Sequence, residues 1–151
     1  MGEGTGMKKL IYNIATQEDI ETIFVQCQEL IDRYEDLSQI DHPKVLSWVH
    51  RKIETHISEY TCVWDGNEKV AYFRLFQRND GKELDDLYVL PEHRGQGIGT
   101  LILDKVIRET EDPIFLYVFT KNVGAIELYR RFGFVITEQI SNTRLLMARQ
   151  T

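Results

Sequence analysis

The sequence is short of long apolar runs, cysteine and clustered positive charge. No stretch reaches the roughly 18 consecutive apolar residues that a membrane span needs, and the opening residues lack the apolar segment of a secretory signal. Only Cys27 and Cys62 are present, and neither they nor the four histidines show metal-ligand spacing. These shortages predict a cytoplasmic protein with free thiols, without a metal ion and without a membrane partner.

Acidic residues outnumber basic ones, 24 to 18, which gives a formal net charge of -6. Duplex nucleic acid recruits clustered Lys and Arg side chains, and no stripe of them occurs in this chain. We therefore expect no nucleic-acid partner. The negative charge suits a cationic partner better, although it also serves solubility in many proteins.

The length and composition are those of one globular domain. A chain of 151 residues with 42% hydrophobic residues is long enough to bury roughly 70% of the surface that its unfolded form would expose. Residues 1–6, "MGEGTG", are predicted to be a flexible leader or a remnant of cloning. We expect residues 7–151 to form the single domain.

Periodicity and turn residues predict an order of strands and helices. Thr16 can cap the first helix, Pro43 fits the first turn of the second, and Gly133 fits the left-handed residue that ends the fourth. The predicted elements are strand 8–15, helix 17–34, a helix from 43, three strands within 61–90 of which the third is 83–90, helix 98–110, strand 114–119, a helix after Asn122, and strands 134–140 and 144–149. This order, β-α-α-β-β-β-α-β-α-β-β, predicts an α/β fold of the α+β kind, with a mixed sheet and helices on both faces.

Three glycines and an arginine, in "RGQGIG" (residues 94–99), lie between a predicted strand and a predicted helix. A helix start offers unpaired backbone N–H groups and the positive end of the helix dipole, so it can bind an anion without a basic side chain. Glycine lets a phosphate approach the backbone closely and permits unusual torsions, and Arg94 can add a charge-assisted contact. The turn is therefore a candidate phosphate site.

Two common phosphate-binding motifs do not fit this turn. It lacks the Gly-Lys-Ser/Thr ending of the Walker motif, and its Gly-x-Gly-x-Gly spacing differs from the dinucleotide fingerprint. The next strand, residues 114–119, also lacks the terminal acidic residue that would hold a ribose. On glycine spacing alone, a plain structural turn and a nucleotide-binding protein of another kind remain alternatives.

Two motifs together resemble the GNAT superfamily of N-acetyltransferases. "RGQGIG" matches its Arg/Gln-x-x-Gly-x-Gly/Ala pattern, and "NVGAIELYRRFGF" (residues 122–134) is similar to its Asn-x-x-Ala-x-x-x-Tyr-x-x-x-Gly-Phe pattern. Both lie in the expected order, one strand apart. The resemblance implies a mostly antiparallel central sheet and an N-acetyltransferase that uses acetyl-coenzyme A as co-substrate, without a metal.

The same resemblance implies that backbone groups bind most of the coenzyme. Its pyrophosphate would lie on the turn that begins at Arg94, and the preceding strand would pair with the pantetheine arm as if with an added strand. Asn122 is a candidate both for a coenzyme contact and for a helix cap. The implied coenzyme-binding residues are Leu87, Tyr88, Val89, Arg94, Gly95, Gln96, Gly97, Ile98, Gly99, Thr100, Asn122 and Tyr129.

Direct transfer needs an acid for the departing thiolate and a neutral amine. Tyr129 matches the superfamily tyrosine near the coenzyme sulfur and is the candidate general acid, because an ordinary tyrosine is protonated at neutral pH. A packing role on its helix is the alternative. Glu83 and Asp85 share one strand face and are candidate bases, and Glu83 matches the glutamate of the histone-acetylating branch. The alternatives are a solvated strand start and proton removal through water.

The resemblance implies a primary amine of a small molecule or peptide as acceptor. The segment "RYEDLSQIDH" (residues 33–42) is acidic and aromatic, which suits a cationic amine, or it is only a polar connection between helices. A non-catalytic acyl-CoA-binding sensor is the alternative function. The closing hairpin offers an exposed sheet edge, and a homodimer is the assembly that this edge allows.

Overall fold

The computed structural model describes residues 9–150, and these contain seven strands and four α-helices in the order expected from the sequence. The strands are β1 (Leu10–Ile14), β2 (Tyr60–Asp65), β3 (Glu68–Arg78), β4 (Gly81–Val89), β5 (Ile114–Phe119), β6 (Val135–Gln139) and β7 (Arg144–Arg149). The helices are α1 (Ile20–Tyr34), α2 (His42–Thr55), α3 (Ile98–Glu109) and α4 (Val123–Arg131). The predicted leader, residues 1–6, lies outside the described residues.

The strands form one sheet in the order β1-β2-β3-β4-β5-β7-β6. Every neighbouring pair is antiparallel except β4 and β5, which are parallel. Parallel neighbours need a crossover connection, and α3 supplies it. The mixed, mostly antiparallel sheet is therefore confirmed.

Helices cover both faces of the sheet, each over its own apolar cluster. On the α3/α4 face, Ile98 and Ile102 of α3 pack with Tyr129 of α4. On the α1/α2 face, Ile23 of α1 and Ile53 of α2 are fully buried against the sheet. The apolar residues of each helix recur at helical spacing, so each helix presents one apolar stripe to the sheet.

Several element starts differ from the sequence expectations by one to three residues, and those of α1 and β4 are two examples. Residues 17–19 form a 3-10 turn rather than the first turn of α1, and Asp19 accepts a hydrogen bond from Thr16 N at 2.9 Å. β4 begins at Gly81 rather than at residue 83. The expected Pro at the start of α2 and the left-handed Gly133 after α4, at φ 90°, are both confirmed.

A β-bulge in β4 opens the sheet. Tyr72 of β3 pairs with Tyr88 and Arg74 pairs with Asp85, so two residues of β4 oppose one residue of β3. Asp86 lies in this bulge at φ 59°, a left-handed conformation that Asp tolerates better than most residues. On the other side of β4, the parallel ladder with β5 consists of Lys82 with Ile114 and Glu83 with Phe115. Beyond Glu83 the two strands separate.

Candidate functional site

A cavity of about 190 Å³ lies where β4 and β5 separate. Residues of α1 and α2 line it from one face of the sheet, and residues of α4 line it from the other. The polar and aromatic lining residues include Cys27, Lys52, Asp85, Asp86, Tyr88, Tyr117, Phe119, Asn122, Tyr129 and Arg144. The gap between the strands therefore connects the two helical layers.

The glycine turn joins the end of β4 to the start of α3. Gly95 and Gly97 have φ values of 80° and 81°, left-handed torsions that a residue with a side chain adopts only with strain. A Cβ built on either glycine meets no atom within 4 Å. Torsion, rather than lack of space, therefore explains these two glycines.

The first turn of α3 has no side-chain cap. By contrast, Asp41 accepts a hydrogen bond from Lys44 N at the start of α2, at 3.2 Å, and Asn122 accepts one from Ala125 N at the start of α4, at 3.3 Å. An uncapped helix start presents backbone donors and positive potential together. The start of α3 is thus equipped to bind an anion.

Arg94 is turned toward α1. Its Nε donates to the carbonyl of Val89 at 3.0 Å, and its Nη2 lies 3.2 Å from Gln26 Oε1 and 3.4 Å from Glu29 Oε1. The guanidinium therefore ties the end of β4 to α1. Its contact with a coenzyme remains a prediction.

Tyr129 packs within the fold and also faces the cavity, and its role as general acid stays a prediction. Its ring packs against Phe134, with 5.8 Å between ring centroids, and its side chain also lines the cavity. Burial, assisted by the negative charge of Asp86, raises the pKa of Tyr129 to about 12. The hydroxyl is therefore protonated at neutral pH. Asn122 likewise does two things: it caps α4 and it lines the cavity.

The structure separates the two candidate bases. Asp85 lines the cavity and accepts hydrogen bonds from Lys52 Nζ at 3.2 Å and Arg74 Nη1 at 2.9 Å. Burial, together with the neighbouring Asp86, raises the pKa of Asp85. Glu83 is absent from the cavity lining and pairs with Arg78 Nη1 at 2.5 Å. Of the two, Asp85 has the geometry to meet a ligand in the cavity.

Lys52 and Asp86 form an ion pair at 2.8 Å that the sequence analysis missed. Asp86 also accepts hydrogen bonds from the hydroxyls of Tyr60 at 2.6 Å and Tyr88 at 2.7 Å, and its side chain is only 11% exposed. Burial opposes ionisation of this carboxyl, but Lys52 and the two hydroxyls hold the pKa of Asp86 below its usual range. Asp86 is therefore a fixed negative charge beside the cavity.

Known proteins resemble this chain in both sequence and fold. A family model described as the acetyltransferase (GNAT) family matches residues 9–134. The chain belongs to the GNAT family. Membership confirms the resemblance drawn from the two motifs, both of which lie inside the matched residues.

Among GNAT relatives, the chain is 32% identical over 77 residues to an uncharacterised N-acetyltransferase of Methanocaldococcus jannaschii. It is 37% identical over 68 residues to the thialysine N-epsilon-acetyltransferase of Sus scrofa. The two alignments cover 48% and 41% of this chain, and 30% and 40% of those proteins. The chain thus matches less than half the length of either relative.

Solved GNAT structures share the fold over nearly the whole chain. The PaiA N-acetyltransferase of Thermoplasma acidophilum, crystallised in complex with coenzyme A, superposes with a TM-score of 0.70. The match covers 95% of this chain and 99% of that one at 18% identity. The GNAT fold expected from the motifs is therefore confirmed.

The sequence signal for Asp86 in this GNAT chain was the adjacent pair Asp85-Asp86 within the otherwise apolar end of β4. Strand alternation would put neighbouring side chains on opposite faces, so the second carboxylate would have entered the apolar α3/α4 face. The bulge instead turns both carboxylates toward Lys52. No local pattern marks Lys52 itself, because its partners lie more than thirty residues away.

The acidic and aromatic segment 33–42 is interpreted either as part of the acceptor site or as a polar connection between helices, and different residues fit each interpretation. Asp36 and Asp41 accept hydrogen bonds from Ser38 N and Lys44 N and so act as caps in a polar connection. Tyr34 instead packs against Phe119, a lining residue, with 6.0 Å between ring centroids. Only the aromatic part of the segment thus approaches the cavity.

Residues 9–150 contain neither a metal-binding cluster nor a membrane-spanning helix. No group of three or more His, Cys, Asp or Glu side chains there is arranged to hold a metal ion. No helix in the same range has both the length and the apolar character to cross a bilayer.

Proposed function

We propose that this protein transfers an acetyl group directly from acetyl-coenzyme A to a primary amine of a small molecule or peptide. One observation carries the proposal: the protonated Tyr129 and the edge of β4 at Leu87 and Tyr88 line one cavity, where β4 and β5 separate. The uncapped start of α3 follows that edge in the chain. Membership of the GNAT family supports the same activity.

The coenzyme would lie against backbone at two places. Its pyrophosphate would accept hydrogen bonds from the turn and first helical amides formed by Gly95, Gln96, Gly97, Ile98, Gly99 and Thr100. Its pantetheine arm would pair with the free edge of β4 at Leu87, Tyr88 and Val89, where the ladder with β5 has ended. Within residues 9–150, the part of β4 beyond Glu83 has no ladder partner on the β5 side.

The acetyl group would then react within the cavity. The amine nitrogen attacks the thioester carbonyl, whose developing negative charge a backbone N–H near Val89 would stabilise. The C–S bond breaks, and Tyr129 donates its proton to the departing thiolate. Burial that raises the pKa of Tyr129 also raises the proton affinity of a buried thiolate, so the transfer does not require an acidic tyrosine.

The acceptor must lose a proton before or during attack. An alkyl ammonium with a pKa of about 10.4 is neutral in only about one molecule in 2,500 at pH 7, a deficit of roughly 4.6 kcal/mol. Asp85 is our preferred base because it lines the cavity and its raised pKa makes it more basic than an ordinary carboxylate. Water is the alternative proton carrier. Glu83 would act as the base only through a chain of water molecules.

A thiol-release assay tests the proposal. Acetyl-coenzyme A is offered with polyamines, amino acids, aminoglycosides and peptide N-termini, and free coenzyme A thiol is measured. We expect release that depends on an amine. Coenzyme binding without release for any amine would favour a sensor, and calorimetry showing preference for ATP or NAD would defeat the assignment.

We also propose a homodimer and a cytoplasmic location. β6 lies at the sheet edge, and its Val135 is 60% exposed, which supports an interface there. Cys27 and Cys62 are both free thiols, as a reducing compartment would keep them. Analytical ultracentrifugation that shows only monomer would dispose of the dimer.

A further inference from the structure

The charged groups that line the cavity are paired with one another, apart from one arginine. Asp86 binds Lys52, and Asp85 binds both Lys52 and Arg74. Arg144 also lines the cavity, yet within residues 9–150 it forms no ion pair with a carboxylate. Each carboxylate of the cavity therefore already has a cationic partner. The charge that remains unpaired is the positive charge of Arg144.

Arg144 is held in place by aromatic rings. Its guanidinium carbon lies 5.7 Å from the ring centroid of Tyr117 and 5.1 Å from that of Phe119. Such cation–π contacts fix a guanidinium by its face. They leave its N–H edges available for a ligand, and a carboxylate fits those edges with two parallel hydrogen bonds.

The position of Arg144 places it on the acceptor side. Ile114, Leu116 and Val118 of β5 belong to the α3/α4 cluster, so the alternating residues Tyr117 and Phe119 face α1 and α2. Tyr34 at the end of α1 packs on Phe119. The coenzyme is proposed to bind at the start of α3 and to present its thioester to Tyr129 of α4. Arg144 lies on the opposite face of the sheet, which we assign to the acceptor.

A polycationic acceptor fits this arrangement poorly. It would meet Arg144, whose charge has no carboxylate partner within residues 9–150, while the carboxylates that could attract it already accept hydrogen bonds from Lys52 and Arg74. The Lys52 ammonium is already compensated, because Asp86 and Asp85 outweigh burial and raise its pKa, so the uncompensated positive charge is that of Arg144.

We infer that the acceptor is a small amine that also carries a carboxylate, such as a free amino acid, and that Arg144 binds the carboxylate. The inference rests on the proposed function and names its substrate class. The amine nitrogen forms the new N–C bond, the C–S bond breaks with its electron pair on sulfur, Tyr129 protonates the thiolate, and the amine proton leaves through Asp85 or water. The carboxylate is unchanged and only positions the amine.

The first test compares matched acceptors. Each amino acid is assayed beside its methyl ester, its amide and its decarboxylated amine, with thiol release as the readout. A charge-assisted pair of hydrogen bonds should favour the free acid by about ten- to a hundredfold in kcat/KM. A series with increasing separation between amine and carboxylate, and a dipeptide, identifies the preferred length and separates free amino acids from peptides.

The second test changes the arginine. Arg144→Gln should raise KM for the free acids by about tenfold or more while leaving the esters and the affinity for coenzyme unaffected, and Arg144→Lys should retain part of the preference. Arg108→Gln, on the exposed side of α3, is the matched control. Circular dichroism checks that each variant folds.

The outcomes separate the two proposals. Equal kcat/KM for acids and esters, or an Arg144→Gln variant that keeps the preference, overturns the carboxylate assignment. Loss of coenzyme affinity in Arg144→Gln would overturn it also, because Arg144 would then belong to the coenzyme site. A preference for the dipeptide would overturn the small acceptor. Thiol release from no amine at all would instead defeat the proposed function.

Discussion

The two faces of the sheet contribute different kinds of group to the candidate site, backbone groups on one face and charged side chains on the other. On the α3/α4 face the proposed coenzyme contacts are backbone groups that follow one another in the chain, from the edge of β4 through the glycine turn to the start of α3. On the α1/α2 face the charges come from distant segments, with Lys52 in α2, Asp86 in β4 and Arg144 in β7.

This difference indicates which half of the site tolerates substitution of its side chains. Backbone donors persist when side chains change, so one half can stay constant across a family. The Lys52–Asp86 pair depends on both members, because removing the lysine leaves the carboxylate of Asp86 without its cation. Substitutions on the two faces are therefore expected to differ in their effects.

The largest effect is expected from Tyr129→Phe, on the coenzyme side. Loss of a positioned general acid should lower kcat by about 10²- to 10⁴-fold, while calorimetry should find the same affinity for acetyl-coenzyme A. Tyr12→Phe removes the same hydroxyl outside this cavity and is the control. Full turnover in Tyr129→Phe would leave the tyrosine with a packing role only.

On the α1/α2 face, Lys52→Met should lower the free energy of unfolding by about 3–5 kcal/mol, because Asp86, whose side chain is only 11% exposed, loses its cation. Lys105→Met is the matched control, since the Lys105–Glu109 pair lies at the surface and should contribute less than about 1 kcal/mol. Urea denaturation measures both. Equal losses of unfolding free energy in the two variants would mean that Asp86 depends on Lys52 no more than the surface carboxylate of Glu109 depends on Lys105.

A smaller effect is expected in the glycine turn. Gly97→Ala forces a side chain into a left-handed torsion, which costs about 1–2 kcal/mol, and it should also weaken coenzyme binding by disturbing the start of α3. Gly124→Ala, in open space within α4, should instead stabilise by up to about 1 kcal/mol. Denaturation curves that move in the same direction for both would contradict the torsion argument.

The smallest effect concerns pH. The hydrogen bond to Glu21 raises the pKa of His50 despite partial burial, so the folded state binds the proton more tightly than the unfolded state. The stabilisation is complete below the unfolded pKa of about 6.5 and is lost as pH rises through the folded value. It should amount to less than about 1 kcal/mol for an exposed pair.

Urea denaturation of the wild type and His50→Gln measures this contribution at about pH 5.5 and about pH 8.5. The difference between the two proteins should shrink at the higher pH. A difference that grows with pH would reverse the sign and exclude the Glu21 contact as its cause.

Much of the fold could be predicted because its signals are local. Apolar residues at helical spacing marked α1 and α3, and Pro43 and Gly133 marked an element start and an element end. The 3-10 turn at residues 17–19 could not be predicted in this way, since it depends on the buried Asp19 binding Lys69 and Tyr72 of β3.

The candidate site divides along the same line. The glycine turn, Asn122 and Tyr129 belong to contiguous motifs, and the structure brings Asn122 and Tyr129 into one cavity. Glu83 and Asp85 looked equivalent on one strand, but Glu83 pairs with Arg78 while Asp85 reaches the cavity. Strand alternation has no means of distinguishing them, because the deciding partners come from other elements.

By itself the sequence determined the order of elements, the family and the turn that can receive a phosphate, because torsion, periodicity and helix starts are properties of short segments. Only the tertiary structure decided which charges share the cavity. The bulge at Asp86 and the separation of β4 from β5 arise from pairing between strands, and they bring Lys52, Asp86 and Arg144 to one cavity from across about ninety residues of chain.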